Sequence, residues 1–343
     1  MKRFVCYCMI ILSCLAADAL AQPTQARLER LIRLNGLPND EVPVVTAVAL
    51  QPRGNLVATA GDDHVVRLWD VRQGRLVREL RGHEDWVTAV AFCRDGSKLI
   101  TGCRDQKVLI WESSTGRLLG SLGQHDNAIT AIVVSPKNDM VAVSGFRSPL
   151  KVYDLNSKKL LGQLACPCAD IRAIAFSADM QFLAAAGRSG VVRVWNMRAG
   201  SKVDINAMRR RVWSVVFTPD SKLLVAGESE LISLFEPTGG QLIKRFENRD
   251  GKTRAMTWLD GEQFAVANTD NTIRLFSRQS SQPHTVITGH TGSIATLDYR
   301  DRTLISGSFD TTVRIWSLHQ QSTADIGDEP RVSSRLTIEP PAN

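Results

Sequence analysis

The run Gly82-His83-Glu84-Asp85-Trp86-Val87-Thr88-Ala89-Val90-Ala91-Phe92, continued through Arg94-Asp95-Gly96 to Trp111-Glu112, decides the fold. Trp86 to Phe92 has the β-branched and apolar texture of a strand, and Arg94-Asp95-Gly96 is a turn. A second strand follows from Lys98 to Thr101, and a tight turn near Arg104-Asp105-Gln106 leads to a third that ends at Trp111. Thr115-Gly116 then opens a fourth strand, Arg117 to Leu122. Four strands joined by such turns make an antiparallel meander. A single sheet of this kind leaves one apolar face in water, whereas radial stacking of several sheets buries both and shortens the exposed edges.

The same texture recurs along the chain. An aromatic residue closes a short β-branched run at Trp69, Trp111, Tyr153, Trp195, Phe235, Phe276 and Trp316, at intervals of 40 to 42 residues. Each interval is one four-stranded unit, so the chain is expected to be all-β, a seven-bladed β-propeller of four-stranded antiparallel blades. Ring closure needs one more strand for the last blade. Leu28 to Leu34 is the favoured donor, closing the ring from the N-terminal side, although Leu28, Leu31, Ile32 and Leu34 also fit a short helix. Arg335 to Ile338 in the tail is the alternative donor.

These repeats resemble the WD-repeat family, whose unit runs from Gly-His to Trp-Asp over about 40 to 45 residues. The resemblance covers Val44 to Ser317 and is strongest from Gly82-His83 to Trp111-Glu112. It implies a hydrogen-bonded set of His, Ser or Thr, Asp and Trp inside a blade. This chain supplies the whole set twice, as His83, Thr101, Asp105 and Trp111, and as His290, Ser306, Asp310 and Trp316. The first blade keeps Thr59, Asp63 and Trp69. The third has His125 and Ser144 with Tyr153 for Trp, and Arg147 near the Asp position. The fourth and fifth lack the set, the sixth keeps only Asp270, and this part of the ring is expected to rely on apolar packing. A Ser-His-Asp trio also evokes a hydrolase triad, but its recurrence in equivalent repeats beside a Trp favours a structural network.

The first residues carry a separate message. Lys2 and Arg3 precede an apolar run from Phe4 to Ala17, and Ala19 and Ala21 stand before Gln22. This reads as a cleavable secretory leader over residues 1–21, cut between Ala21 and Gln22. Residues 22–43 then form the N-terminal segment, 44–319 the propeller and 320–343 a mostly disordered tail. The apolar run is too short for permanent anchoring, and Cys14 offers a weaker reading as a lipid-attachment site. The chain is thus expected to be an exported, bacterial-type member, periplasmic or secreted. Of the cysteines outside the leader, Cys93 and Cys103 sit at opposite ends of one hairpin, too far apart to pair. Cys166-Pro167-Cys168 could bind metal or form a small ring, with unpaired thiols the favoured reading.

With 43% hydrophobic and 22% charged residues the chain can bury a core. Its net charge of +7 favours anionic partners, without the dense Lys/Arg stripes of a nucleic-acid binder. No phosphate-binding loop, zinc-protease motif or isolated carboxylate pair is present, and neither cofactor, metal site nor catalytic residue is expected. The channel-side residues expected from the alignment, Ala89, Ala131, Ala173 and Ser214, are small and neutral.

Function is therefore expected in the loops of one face. Aligning the repeats sets Trp86 and Thr88 beside Asp170 and Arg172, Arg211 and Trp213, and Lys252 and Arg254, with Arg188, Arg209 and Arg210 in adjacent turns. Cations around an indole suit a carboxylate or phosphate on a partner. The expected role is a non-catalytic protein-binding scaffold or recognition module, monomeric outside its complexes, with an unidentified and acidic protein as partner. A channel enzyme or small-molecule sensor, and a structural envelope protein, are the alternatives.

Overall fold

The computed structural model describes residues 24–34, 42–168 and 170–320. The leader with Cys14 and the Ala21/Gln22 junction, and the alternative closing segment Arg335 to Ile338, lie outside the described residues. No helix among the described residues is long and apolar enough to cross a membrane.

Every described element is a strand, and the strands form seven four-stranded antiparallel sheets. Six sheets are consecutive meanders, beginning with the innermost strands Val45–Leu50, Val87–Phe92, Ile129–Val134, Ile171–Phe176, Val212–Phe217 and Thr253–Trp258. The seventh begins at Ile294–Arg300 and takes its outermost strand from the other end of the chain, where Thr24–Arg33 pairs antiparallel with Thr312–Gln320. The N-terminal closure holds, and the helical reading of Leu28 to Leu34 does not. Along this strand Thr24 and Ile32 are buried while Arg27 to Arg30 are exposed. Ile32 and Leu34 pack with Val45, Trp69, Val313 and Ile315, a seam that a detached helix would leave open.

The second strand of each blade shows why the sheets stack. Leu56–Gly61, Phe182–Gly187 and Gln263–Asn268 are almost wholly buried, because neighbouring blades cover both of their faces. They therefore read as continuous runs of small apolar residues instead of alternating ones. Phe246, Phe264 and Phe276 fill the space between blades 5 and 6 with edge-on and stacked rings, while Leu68, Leu80, Leu99 and Trp111 do so between blades 1 and 2. The Asp95-Gly96 turn leans on the preceding blade. Gly96 has φ +74, and a Cβ there would stand 2.2 Å from the Pro52 carbonyl oxygen.

Cys166 and Cys168 form a disulfide, with Cα atoms 5.2 Å apart. The favoured reading of two free thiols is thereby corrected: the turn at Pro167 folds the chain back far enough to bring both Cα atoms within bonding range. Cys93 and Cys103 are buried and unpaired.

Candidate functional site

One irregularity repeats in all seven blades. The pairing of the innermost strand with the second strand skips one residue, which is Thr46, Thr88, Thr130, Arg172, Trp213, Arg254 and Ala295 in turn. A bulge of this kind leaves the extra residue unpaired and re-aims its side chain. In blades 1 and 2 the hydroxyl seals the seam to the next blade, Thr46 Oγ1 donating to the Val87 carbonyl and Thr88 Oγ1 to that of Ile129 at 2.5 and 2.7 Å. In blades 4 to 6 the same position carries Arg, Trp and Arg, which project into the mouth of the central channel.

The mouth is a cavity of about 770 Å³ lined by Trp86, Arg172, Trp213 and Arg254, among others. The Arg254 guanidinium lies 4.1 Å from the centre of the Trp213 ring and 5.8 Å from that of Phe309. Arg211 approaches Trp213 at 4.9 Å. Across the channel Arg104 stacks on Trp86 at 4.0 Å. Arg172 and Arg211 share the buried Asp170, at 3.0 and 3.8 Å, whereas Arg254 has no carboxylate within 4 Å among the described residues. Burial, with Arg172 and Arg211 nearby, holds the Arg254 pKa below its ordinary value against the opposing pull of Glu228. An anion entering the mouth would relieve that repulsion.

The structure thus brings Trp86, Arg172, Arg211, Trp213 and Arg254 together. Lys252 is exposed and does not line the cavity. Arg188 lines a neighbouring cleft with Arg210, Arg211 and Glu228, and Arg209 and Arg210 line a groove of their own. Ala89 and Ala131 line the mouth, as aligned. Arg104 and Phe309 were not foreseen. Both occupy the residue just beyond the second strand, so aligning that turn as carefully as the innermost strand would have found them.

The two complete tetrads are formed. Trp111 Nε1 donates to Thr101 Oγ1 at 2.9 Å, His83 Nε2 lies 2.8 Å from the same hydroxyl, and His83 Nδ1 is 2.9 Å from Asp105. Trp316, Ser306, His290 and Asp310 repeat the pattern at 3.0, 2.7 and 2.8 Å. Burial lowers the pKa of both histidines, favouring neutral rings. Ser306 is fully buried and already accepts the indole N–H, so the trio offers no accessible nucleophile. With Cys103 beside them, His83 and Asp105 of the first tetrad approach a metal-ligand set. Burial pushes the Cys103 thiol up to about 12, and the imidazole nitrogens are already engaged, which suits a hydrogen-bonded group better than an ion.

Elsewhere the set is altered. Trp69 Nε1 still donates to Thr59, while Asp63 pairs with the buried Arg67. In blade 3, Tyr153 hydroxyl meets His125 at 3.3 Å, and Ser144 turns to Thr130. Blade 6 departs from the apolar expectation: Asp270 binds Arg274, which reaches Asn248, and Asn248 donates to Asn268. Asp63/Arg67 and Asp270/Arg274 share the spacing Asp-x-x-x-Arg, but so do Asp310 and Arg314 beside the intact tetrad of blade 7, so the spacing alone does not mark this substitute network.

The chain is 32% identical over 127 residues to transcription initiation factor TFIID subunit 5 of Caenorhabditis elegans, covering 35% of this chain and 18% of that protein. It is 25% identical over 154 residues to the U3 small nucleolar RNA-associated protein 21 homolog of Schizosaccharomyces pombe, covering 43% and 17%. A stretch of 34 residues is 53% identical to nuclear distribution protein PAC1 of Gibberella zeae, covering 10% and 7%. The matched regions span less than a fifth of each of these relatives. The model of the family described as the IFT122 first beta-propeller matches residues 44–299, and with seven four-stranded blades the chain belongs to this family of WD-repeat-type propellers.

Proposed function

We infer that this propeller is an exported, non-catalytic protein-binding module that receives an acidic segment of its partner at the channel mouth. The observation that carries the reading is Arg254, stacked between Trp213 and Phe309 and lacking a carboxylate among the described residues. Trp and Arg in a partly desolvated pocket are the side chains most often found to dominate binding energy. Two carboxylates at the mouth are already engaged: Asp62 accepts the Val44 N–H, and Asp170 holds Arg172. A pocket so arranged fits recognition of an anion better than acid-base chemistry. The relatives named as a subunit of TFIID and as a small nucleolar RNA-associated protein support a place in protein assemblies. Export rests on the leader sequence alone.

The test uses the chain recovered from the exported fraction, whose first residue should be Gln22, as bait in affinity capture. Replacing both Arg211 and Arg254 by Glu should reduce retention of the specific partner by about tenfold or more, with an unchanged melting midpoint. Undiminished capture by this variant rules the reading out.

A further inference from the structure

Blade 5 carries a groove of about 580 Å³ outside the channel mouth, and the repeat explains why it is there. Met208 stands four residues before the innermost strand of its blade, as His83 and His290 do in theirs. Ser229 stands six residues before the closing aromatic, as Asp105 and Asp310 do. Both line the groove, which therefore opens at the positions where blades 2 and 7 hold their His–Asp pair.

A second change adds charge to this space. Two residues before the closing aromatic the third strand carries Arg67, Arg193, Arg274 and Arg314 in blades 1, 4, 6 and 7, but Ser233 in blade 5. The cross-strand partner of Arg67 is Glu79, and that of Arg193 is Asp204, each close enough for an ion pair, at 3.2 and 2.6 Å. Opposite Ser233 stands Arg245. The cation has crossed to the outer strand and the acid has disappeared.

Arg209 and Arg210 wall the same groove, and none of these three guanidiniums has a carboxylate within 4 Å among the described residues. The one carboxylate in the lining, Glu228, lies 4.0 Å from Arg211. Leu231, 37% exposed, supplies an apolar floor beside the small Ser233.

We propose that this groove binds an acidic peptide segment, one carboxylate of which faces Arg245 as Glu79 faces Arg67 and Asp204 faces Arg193. An adjoining apolar side chain of the peptide rests on Leu231 and Met208. A carboxylate is the group assigned, because this fold twice builds that pairing at the equivalent cross-strand position. Arg209 and Arg210 add electrostatic attraction and make capture salt-sensitive. The site shares neither Arg254 nor Trp213 with the channel mouth and stands without it.

The probe is a fluorescein-labelled pentapeptide of four glutamates around a central leucine, followed by anisotropy with the full chain. Two controls replace the glutamates by glutamine or by phosphoserine. The acidic peptide is expected to bind and the glutamine peptide to bind about tenfold or more weakly. The double variant Ser233→Arg/Arg245→Asp rebuilds the Arg193–Asp204 arrangement and fills the groove. It should lose binding by a similar factor while keeping the wild-type melting midpoint, as should Arg209→Gln/Arg210→Gln. These measurements are made in an Arg254→Ala background, so that the channel mouth, which is also proposed to take an acidic segment, does not contribute to the signal. Absence of peptide binding in that background, or full binding by either double variant in it, would overturn the site. Tighter binding of the phosphoserine peptide would overturn the carboxylate.

Discussion

The hydroxyl of Thr101 joins two buried polar groups that have nowhere else to turn. It accepts the Trp111 N–H and lies 2.8 Å from His83 Nε2, while His83 Nδ1 donates to Asp105. With the ring neutral, the threonine O–H completes the chain by donating to Nε2. Thr101→Val keeps the shape and removes the oxygen, leaving an indole N–H and an imidazole nitrogen without partners. Each orphaned group costs about 1–3 kcal/mol, so urea denaturation should show a loss of about 2–6 kcal/mol, and a loss below about 0.5 kcal/mol would refute this account. Asp298 makes a different case. At the lower end of the channel its carboxylate accepts the Leu50 N–H at 2.7 Å, and burial pushes its pKa up to about 6. Between pH 4 and 6 the folded chain therefore holds a proton that the unfolded chain has released, and this group's contribution to stability rises as pH falls through that window. Asp298→Asn abolishes the titration. Wild-type stability relative to this variant should increase from pH 7 to pH 4, measured by denaturant unfolding at both values; a constant or shrinking difference would contradict it.

At the level of the strand, alternation and turn chemistry made the blades legible before any coordinates. The expected strand Trp86 to Phe92 is Val87–Phe92, and the expected Arg117 to Leu122 is Leu118–Ser121. The bulge of the innermost strand was not legible, because it leaves no mark in hydropathy: Thr46, Arg172 and Trp213 occupy one geometric position with unlike chemistries. Without the bulge, period two alone does not show that Arg172, Trp213 and Arg254 all turn toward the channel mouth, so the candidate site was visible as a set of residues but not as a cavity. The substitute network of blade 6 was missed for a related reason. Asn248, in the loop after the strand Leu242–Glu247, and Asn268, at the end of the strand Gln263–Asn268, lie 20 residues apart, a distance over which spacing in the sequence carries little information. The closing strand was legible as a need of the ring; its helical alternative persisted because Leu28, Leu31, Ile32 and Leu34 satisfy both periods locally, and only the partner strand decides between them.

Seen as a whole, the ring is a series of continuous meanders with one break, and the break is where its cooperativity is decided. In blade 4 the outer strand Lys202–Asn206 follows its neighbour through a short turn, so a weakened contact there reforms within one hairpin. The outer strand of blade 7 has no such tether, because Thr24–Arg33 reaches its partner Thr312–Gln320 from the far end of the chain. Its attachment rests on the ladder with that one strand and on side chains. Thr24 bonds to Gln263 and its carbonyl accepts from Thr285 in blade 6, while Arg30 reaches the Arg72 carbonyl in blade 1, so this strand clamps three blades at once. Ile32 and Ile205 occupy equivalent, buried places, opposite Val313 and Val192. Replacing either by alanine should cost about 2–5 kcal/mol through lost burial and a cavity. The consequence should differ. Ile205→Ala should unfold in a single transition, whereas Ile32→Ala should let the N-terminal strand detach first, seen as faster hydrogen exchange of amides in 24–33 and 312–320 at temperatures where the other blades stay protected. Equal exchange patterns in the two variants would mean that the ring is held by the channel-side seam, where Asp298 meets Leu50, and not by its outer clasp.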